Sequence, residues 1–379
     1  MQGWTAGAPP WATPVPGFLD AAGGQPILPA AAAALALARD EAWADPTRLH
    51  HAGRRAGALL DAARASLASS LTALQVQGAA PVRPEEVFLT GSPARARRLA
   101  LALASAAGPG PLAISAVEAT TLLDLAEASG DCRIVPVDAF GRADPDGFRG
   151  AATRVLQAAN PEVGTRQPVD VVAENEGTGP LIVDAAQTIG HAPLPSGWTT
   201  LLASARDWAG PAGCAICVVR GGRRPGPQVR GWLDDVPDVA SAVAAATALE
   251  ALLPHWREHA ERDRQRIAAV RDAAQRIPDV EVVGDPADRL PHVLTFSVLY
   301  VAGEAVVQAL DAQGFAVASG SACVDEAERP SHVLAAMGAY TGGNVRISLP
   351  FGCPDETIER FIDALPLTIG TLRDEQLGR

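Results

Sequence analysis

Short apolar runs alternate with helical segments from about residue 85 onward, and this alternation predicts the fold class. Apolar runs of about four to eight residues bounded by turn residues are typical of buried strands. The predicted strands are "EVFLT" (86–90), "PLAIS" (111–115), "CRIVPV" (132–137), "PLIVDAA" (180–186), "TTLLASA" (199–205) and "CAICVVR" (214–220). The predicted helices are "SPARARRLALALASAA" (92–107) and "AVEATTLLDLAEASG" (116–130). "TRVLQAAN" (153–160) is strand-like but ambiguous, and "PVDVVAENEG" (168–177) allows strand or helix, with helix favoured. The pattern indicates an α/β domain with a largely parallel sheet.

The C-terminal third has a different pattern, which predicts a smaller α+β domain. It begins with a helical stretch over 238–277, which Pro254 is expected to kink or break. The elements predicted after it are strands at 280–283, 292–298, 315–319 and 344–349, with helices at 303–314, near 330–338 and from about 354. We therefore predict a flexible lead-in over 1–16, a large α/β domain over 17–250 and a small α+β domain over 251–379.

Composition narrows the possible functions. The net charge is −12 and no basic stripe is present, which argues against nucleic-acid binding. No apolar run reaches the length of a membrane span, and no signal peptide is recognised, so a cytoplasmic protein is expected. The odd number of cysteines, five, favours reduced thiols over a disulfide framework. All 31 basic residues are arginine, so the chain contains no lysine.

Two polar residues follow a predicted strand in "LIVDAAQTIGH" (181–191). Open α/β sheets bind ligands at the C-terminal ends of their strands. Asp184 and Gln187 are therefore candidates for holding a ring nitrogen and a neighbouring oxygen. The alternative is that Asp184 only caps the next turn.

Two further candidates lie in the C-terminal domain. "SGSACVDEAE" (319–328) places Cys323 in a loop of small and acidic residues, which favours an accessible thiol, although its acidic neighbours do not favour a thiolate. Arg346, inside a predicted strand, suits bidentate binding of a carboxylate. The alternatives are an inert cysteine and an ion pair across the sheet.

Other cysteines and histidines give weaker signals. "CAIC" (214–217) is interpreted as core packing, because residues three apart on a strand point to opposite faces. No metal-ligand spacing is recognised around five of the histidines: His50, His51, His255, His259 and His292.

These segments together resemble the class V aminotransferase group of pyridoxal-phosphate (PLP) proteins, and most closely the bacterial cysteine desulfurases. The resemblance covers most of the chain, from "GFLDAAGGQP" (17–26) to the last helix, and its strongest segments are "VDAAQTIGH", "GPAGCAICVVR", "ASGSACVDEAERPSHVLAAMG" and "VRISL". It implies the fold of fold-type I PLP transferases: a mostly parallel central sheet with a smaller α+β C-terminal domain.

The resemblance also implies roles for individual residues. Asp184 would pair with the pyridine nitrogen of PLP, and Gln187 would meet its phenolic oxygen. Cys323 would accept sulfur as a persulfide, and Arg346 would bind the substrate carboxylate. It further implies a homodimer, or a heterodimer with an active desulfurase paralogue, and a sulfur-transfer or iron–sulfur assembly protein as a possible partner.

The departures from the family pattern concentrate around the cofactor. The family's Ser-x-His-Lys reads Ser204-Ala205-Arg206-Asp207, so an aspartate replaces the Schiff-base lysine. Ser204 and Arg206 remain as candidate cofactor-binding residues, and Arg206 offers a positive charge for an anion. The other departures are Gly91-Ser92-Pro93 in the phosphate loop, Ala119 for the stacking histidine, Asn160-Pro161-Glu162 for the Asn-Asn-Glu turn and, by a loose alignment, Asp235 for a phosphate-binding threonine.

Three hypotheses follow, because PLP chemistry requires an imine to an amine. The first is a desulfurase-like protein without PLP catalysis that acts through Cys323 or through a protein partner, with no cofactor expected. The second is an enzyme that uses Arg206 and Asp207 in a remodelled, PLP-independent pocket. The third is an active enzyme, a cysteine desulfurase or aminotransferase, that binds PLP noncovalently.

Overall fold

The computed structural model describes residues 15–105, 110–175, 179–221, 238–319 and 330–376. Within these residues the helices α1 to α10 are Pro29–Glu41, His51–Leu74, Pro93–Ser105, Thr120–Glu127, Val169–Glu174, Val239–Leu252, Trp256–Gln275, Gly303–Asp311, His332–Ala336 and Asp355–Gln376. The strands β1 to β10 are Val87–Thr90, Leu112–Ser115, Cys132–Val135, Thr153–Gln157, Leu181–Asp184, Thr200–Ser204, Ala215–Val219, Val280–Val283, Val293–Val298 and Asn344–Ser348.

The described residues form one seven-stranded sheet in the order β1-β7-β6-β5-β4-β2-β3. The pairings from β3 through β2, β4 and β5 to β6 are parallel, and the pairings of β7 with β6 and with β1 are antiparallel. The sheet is therefore mostly parallel, and the predicted fold class is confirmed. Its parallel strands end at one edge, which collects the residues that follow β2, β5 and β6.

A second sheet of three antiparallel strands, in the order β10-β9-β8, carries its own apolar core with α7, α8 and α10. Leu19 also packs into this core, because residues 17–20 form bridges to Ala316 and Ser348. Trp256, by contrast, packs into the core of the large sheet. The domain limits at residues 16 and 250 remain a prediction.

The local sequence explains where several helices begin and end. Ser92 Oγ accepts a hydrogen bond from Arg95 N at 3.2 Å, so Ser92 caps α3 and Pro93 opens it, as predicted. Pro254 separates α6 from α7, and the two helices are bent by 73°. Helix α6 is buried on nearly all sides and packs on α1 and α2.

Two expected elements differ from the structure. Residues 315–319 are not a strand: Ala316 and Ala318 make isolated bridges to different segments, so no continuous ladder forms. The helix expected over 116–130 is shorter, because Ser115 to Glu118 form a turn and Ala119 is the N-cap of α4.

Among the described residues no single helix is long and apolar enough to span a membrane. The bent pair of α6 and α7 meets the length and composition criteria only when taken together.

Candidate functional site

Asp184 lies at the C-terminal end of β5, where the sequence places it, and its partner is an arginine. Arg97 of α3 donates to Asp184 Oδ2 from Nε at 3.1 Å and from Nη2 at 3.0 Å. Ala186 N donates to Asp184 Oδ1 at 2.9 Å. The Asp184 side chain is 7% exposed and that of Arg97 is 20% exposed. Both carboxylate oxygens of Asp184 thus accept hydrogen bonds. Arg97 forms an ion pair with the same carboxylate that the resemblance assigns to the pyridine nitrogen of PLP.

Asp207 lies in a short helical turn directly after β6. Ser204 N donates to Asp207 Oδ2 at 2.9 Å, and the turn ends at Ala209 with a positive φ of 58°. Burial raises the pKa of Asp207 to about 7, against the lowering effect of the hydrogen bond from Ser204, and nearby Asp184 raises it further. Asp207, which the resemblance aligns with the family's lysine, is therefore a buried carboxyl group whose pKa is raised to about 7.

Glu118 is a third buried acid, which the sequence analysis did not select. It follows β2 at the same edge of the sheet, and Gln157 N donates to its Oε1. Within the described part of the chain, Oε2 has no hydrogen-bond partner. Burial, with a further contribution from Asp184, raises the pKa of Glu118 to about 8.

Arg97 is the cation that these three acids share. Asp184, Glu118 and Asp207 all favour its charged form, so its pKa is raised although burial alone would lower it. When Glu118 and Asp207 are protonated, the Arg97–Asp184 ion pair leaves the cluster with no net charge. Ionisation of either acid makes the cluster negative. We call these four residues the arginine–acid cluster.

A cavity of about 60 Å³ opens beside this cluster. Its lining is formed by Pro93, Ala96, Arg97, Asp184, Ala186, Leu202, Ala203, Ser204 and Asp207. Two predicted cofactor-binding residues, Asp184 and Ser204, therefore line it together with Asp207. Arg206 is not among the lining residues: it is exposed and donates from Nη2 to Gly23 O at 2.7 Å.

Gln187 lies between the cavity and a second polar region. Its backbone has a positive φ of 62°, and its Nε2 lies 3.3 Å from Ala22 O and 3.5 Å from Asp207 Oδ1. His292 Nε2 lies 3.2 Å from Gln187 Oε1, so the ring donates to the amide oxygen. The amide nitrogen and the amide oxygen of Gln187 therefore both contact residues of this chain.

Arg346 is on β10, as predicted, and its Nη2 donates to Asp20 Oδ1 at 2.8 Å. The side chain of Arg346 is 18% exposed and that of Asp20 is 30% exposed. The structure thus gives the arginine an internal carboxylate partner, which leaves its predicted role toward a substrate as a prediction. Cys323 and Asp235 lie outside the described residues.

The thiols within the described part of the chain are poorly suited to reaction. Burial raises the pKa of Cys214, of Cys217 and of Cys353 to about 12. Cys132 is half-buried, and its pKa is also raised, by burial and then by Glu127 and Asp131. A thiol reacts as its thiolate, so these four cysteines are predicted to be slow nucleophiles.

Sequence analysis missed a buried histidine cluster on the far side of Gln187. His191 stacks on His292 with ring centroids 3.5 Å apart, and His259 and Asp263 of α7 lie against it. Part of this cluster could have been predicted from the sequence, because His259 and Asp263 are four residues apart and therefore lie on one face of a helix. His191 and His292 come from loops far apart in the sequence, and only the fold brings them together.

Comparisons with known proteins agree with this architecture. The family model described as aminotransferase class-V matches residues 236–361. The chain is 32% identical to a cysteine desulfurase of Cereibacter sphaeroides, over 88% of this chain and 90% of that protein. It is 30% identical to a cysteine desulfurase of Sinorhizobium fredii, over 89% of this chain and 92% of that protein. A NifS-like protein from Rickettsia africae has the same fold, with a TM-score of 0.81 at 19% identity, over 94% of this chain and all of the other.

Proposed function

Because this chain belongs to the class-V aminotransferase group, close to the cysteine desulfurases, we propose that it is a desulfurase-like protein that has lost Schiff-base chemistry with PLP. In this proposal it handles sulfur, or binds a protein partner, through Cys323. It works in the cytoplasm as a homodimer or as a heterodimer with an active desulfurase paralogue.

One observation carries the proposal: an internal ion pair and a buried acid lie at the positions that the resemblance assigns to cofactor binding. Arg97 holds Asp184, the predicted partner of the pyridine nitrogen, through two hydrogen bonds. Asp207 stands at the lysine position, and the chain has no other lysine to form an imine. These residues do not fit an imine-bound PLP.

The charge of the pocket supports the same conclusion. PLP carries a phosphate group, and the arginine–acid cluster contains three carboxyl groups for one guanidinium. Pro93 lacks the N–H and the hydroxyl that the family's phosphate loop offers at that position. Ionised Asp207 or Glu118 would repel a phosphate in a site where burial weakens solvent screening.

Cys323 can carry sulfur without a cofactor in this chain. Its thiolate would attack the outer sulfur of a donor persulfide, form a new S–S bond and release the donor as a thiol. No external oxidant or reductant is needed, because the sulfane sulfur keeps its oxidation state. The pKa values of the four described cysteines are raised, so little of their thiolate forms is present. Cys323 is therefore favoured as the thiol that receives the sulfur.

The first experiment is the absorption spectrum of the purified protein, before and after incubation with PLP and treatment with borohydride. We expect a colourless protein with no stable reducible adduct. A yellow protein, or a reduced adduct mapped away from the N-terminal amine, would overturn the loss of Schiff-base chemistry.

The second experiment tests the sulfur role by competitive alkylation and mass spectrometry, with and without a persulfide donor. We expect Cys323 to be alkylated first and to gain one sulfur atom. Faster labelling of Cys132 or Cys353, or persulfidation only at other positions, would reject the sulfur role and leave partner binding.

A second candidate function rests on the pKa of Asp207, which is about 7 in a cavity-lining carboxyl group. A general acid or base works best when its pKa lies near the working pH. In this alternative Asp207 moves a proton on a small ligand, while Arg206 adds positive charge nearby. Infrared titration of the Asp207 carboxyl with and without candidate ligands tests it: a ligand-dependent shift favours the alternative, and an unchanged titration rejects it.

A further inference from the structure

The histidine cluster brings three potential metal ligands together in the protein interior. One ligand atom each from His191, His259 and Asp263 lies within 4.8 Å of the other two. His191 is 1% exposed, and the side chains of His259 and Asp263 are 2% and 0% exposed. His259 Nε2 and Asp263 Oδ2 are 2.9 Å apart. Three such groups from two distant parts of the chain therefore lie close enough together to share one ion.

His191 leaves one ring nitrogen without a partner. Gln25 Nε2 lies 3.3 Å from His191 Nε2, and Gln25 Oε1 accepts from Phe351 N at 3.1 Å. Nδ1 of His191 is buried and has no hydrogen-bond partner within the described residues. An unsatisfied buried nitrogen costs about 1–3 kcal/mol, so it needs a compensating interaction. Nδ1 is therefore the ring nitrogen without a hydrogen-bond partner, and it can bind a metal once it has lost its proton.

Asp263 is held from outside the cluster. Arg266 Nη1 donates to Asp263 Oδ1 at 3.1 Å, and Arg266 Nε donates to Asp355 Oδ1 at 2.7 Å. This contact orients the carboxylate and leaves Oδ2 on the side of His259. Metal-binding carboxylates are commonly oriented by such outer hydrogen bonds.

We propose that His191, His259 and Asp263 bind a divalent transition-metal ion of the Zn²⁺ class. Two imidazole nitrogens and one carboxylate oxygen form a ligand set that suits Zn²⁺ and Co²⁺, with a fourth position left for water. His191 follows β5, whereas His259 and Asp263 lie on α7. The ion thus joins the end of the large sheet to the helix that leads into the small sheet, and it acts as a structural clasp.

The proposal also gives Gln25 a role. With its present orientation Gln25 donates to His191 Nε2, which places the ring proton on Nδ1. Metal binding at Nδ1 requires the proton on Nε2, so the amide of Gln25 must turn over and offer its oxygen. A carboxylate at this position would accept from both His191 Nε2 and Phe351 N without turning. Gln25→Glu is therefore expected to tighten metal binding, because loss of an outer-shell hydrogen-bond partner typically costs about 10–100-fold in metal affinity.

The test uses the full chain, freed of metal with a chelator, and Co²⁺ as the probe. We expect saturable binding with the strong visible absorption of four-coordinate cobalt, and Zn²⁺ should displace the Co²⁺ and raise the melting temperature. Asp263→Asn keeps the size of the side chain and removes its charge, and should weaken Co²⁺ binding at least roughly tenfold.

His292→Asn is the matched control, because His292 is buried and stacks on His191 but is not in the ligand group. It should retain the cobalt spectrum, while His259→Gln gives a second ligand variant if Asp263→Asn does not fold. Absence of saturable Co²⁺ binding in the unaltered protein would overturn the proposal. So would Co²⁺ binding that folded ligand variants retain, and the unpaired nitrogen would then be assigned to a buried water.

Discussion

Two buried polar regions meet at Gln187: the arginine–acid cluster at the edge of the large sheet and the histidine cluster beside α7. Both are largely buried, yet they satisfy their polar groups differently. The first contains its own counter-ion, since Arg97 neutralises Asp184 and two neighbouring acids titrate near or above neutral pH. The second contains three imidazole rings beside Asp263, whose carboxylate pairs with Arg266. Burial lowers the pKa of His191 and of His292 well below the ordinary range.

The difference indicates where this chain has capacity for an external ligand. A pocket whose charges are cancelled by its own side chains gains little from binding another ion. His191 Nδ1, which has no hydrogen-bond partner within the described residues, remains available to a metal. In the proposal above, Asp207 at the position aligned with the family's lysine is one departure in the pocket, and the internal Arg97–Asp184 pair is a second.

The largest expected effect comes from removing the internal counter-ion. Arg97→Met leaves Asp184 buried without its cation and should lower the free energy of unfolding by about 3–5 kcal/mol at pH 7, as is typical when one partner of a buried ion pair is removed. Urea unfolding measures this loss. Arg98→Met, on the exposed side of the same helix, should change stability by less than about 0.5 kcal/mol. Equal effects of the two substitutions would show that the Arg97–Asp184 pair does not stabilise the fold.

The pH dependence of stability gives the next largest effect. Folding raises the pKa of Glu118 from 4.5 to about 8, so the folded protein binds this proton more tightly than the unfolded chain. Stability from this group is therefore present below pH 4.5 and is lost as the pH rises toward about 8. Glu118→Gln should remove that loss and raise the free energy of unfolding at pH 8 by about 1–3 kcal/mol relative to the parent.

Unfolding curves collected across this pH range test the effect of Glu118. Glu127→Gln, at an exposed position at the end of α4, is the control and should leave the slope unchanged. A parent protein whose stability does not fall between about pH 4.5 and pH 8 would contradict the raised pKa of Glu118.

An effect of similar size is expected at Gln187, the residue that joins the two regions. Gln187→Met removes the acceptor for His292 Nε2 and the contact with Asp207, and should cost about 1–3 kcal/mol through the unpaired imidazole N–H. Chemical denaturation measures the cost, with Gln265→Met on the exposed face of α7 as the control. If the two variants are equally stable, the amide of Gln187 does not connect the regions.

The smallest expected effect is that of restoring the family's lysine alone. Asp207→Lys places an amine next to Asp184 and Glu118. Arg97 still forms its ion pair with Asp184, however. The departures at Pro93 and Ala119 from the family's phosphate loop and stacking histidine also remain. We expect no visible absorption after incubation with PLP and no sulfide release from cysteine. A stable yellow adduct, or robust sulfide release, would show that the lysine was the decisive loss and that the internal pair is easily displaced.

Much of the fold is readable from local sequence. Strands β5, β6 and β7 are fully buried apolar runs, which the sequence pattern predicts within a residue or two at each end. Pro254 marks the break between α6 and α7 because it cannot continue the backbone hydrogen bonding of a helix. Residues 315–319 have the same apolar pattern, yet they form only single bridges, because a strand also needs a neighbour in register.

The site is only partly readable. The position of Asp184 follows from its place at a strand end, but its partner Arg97 is 87 residues away and looks like any surface arginine of a helix. The pKa values of Asp207 and Glu118 depend on burial, which the sequence alone does not give. His191 and His292 likewise have no local pattern, since their stacking is created by the approach of two loops.

The bridges made by residues 17–20 have a consequence for synthesis of the chain. Arg346 and Asp20 are 326 residues apart, and so are Ala22 and Ser348, which are also hydrogen-bonded. A ribosome adds about 5–20 residues per second, so the early segment waits tens of seconds for its partners to emerge. Leu19 therefore stays without its native packing until nearly the whole polypeptide has been made, and a nascent chain stalled before residue 340 should expose this segment to chaperones and proteases.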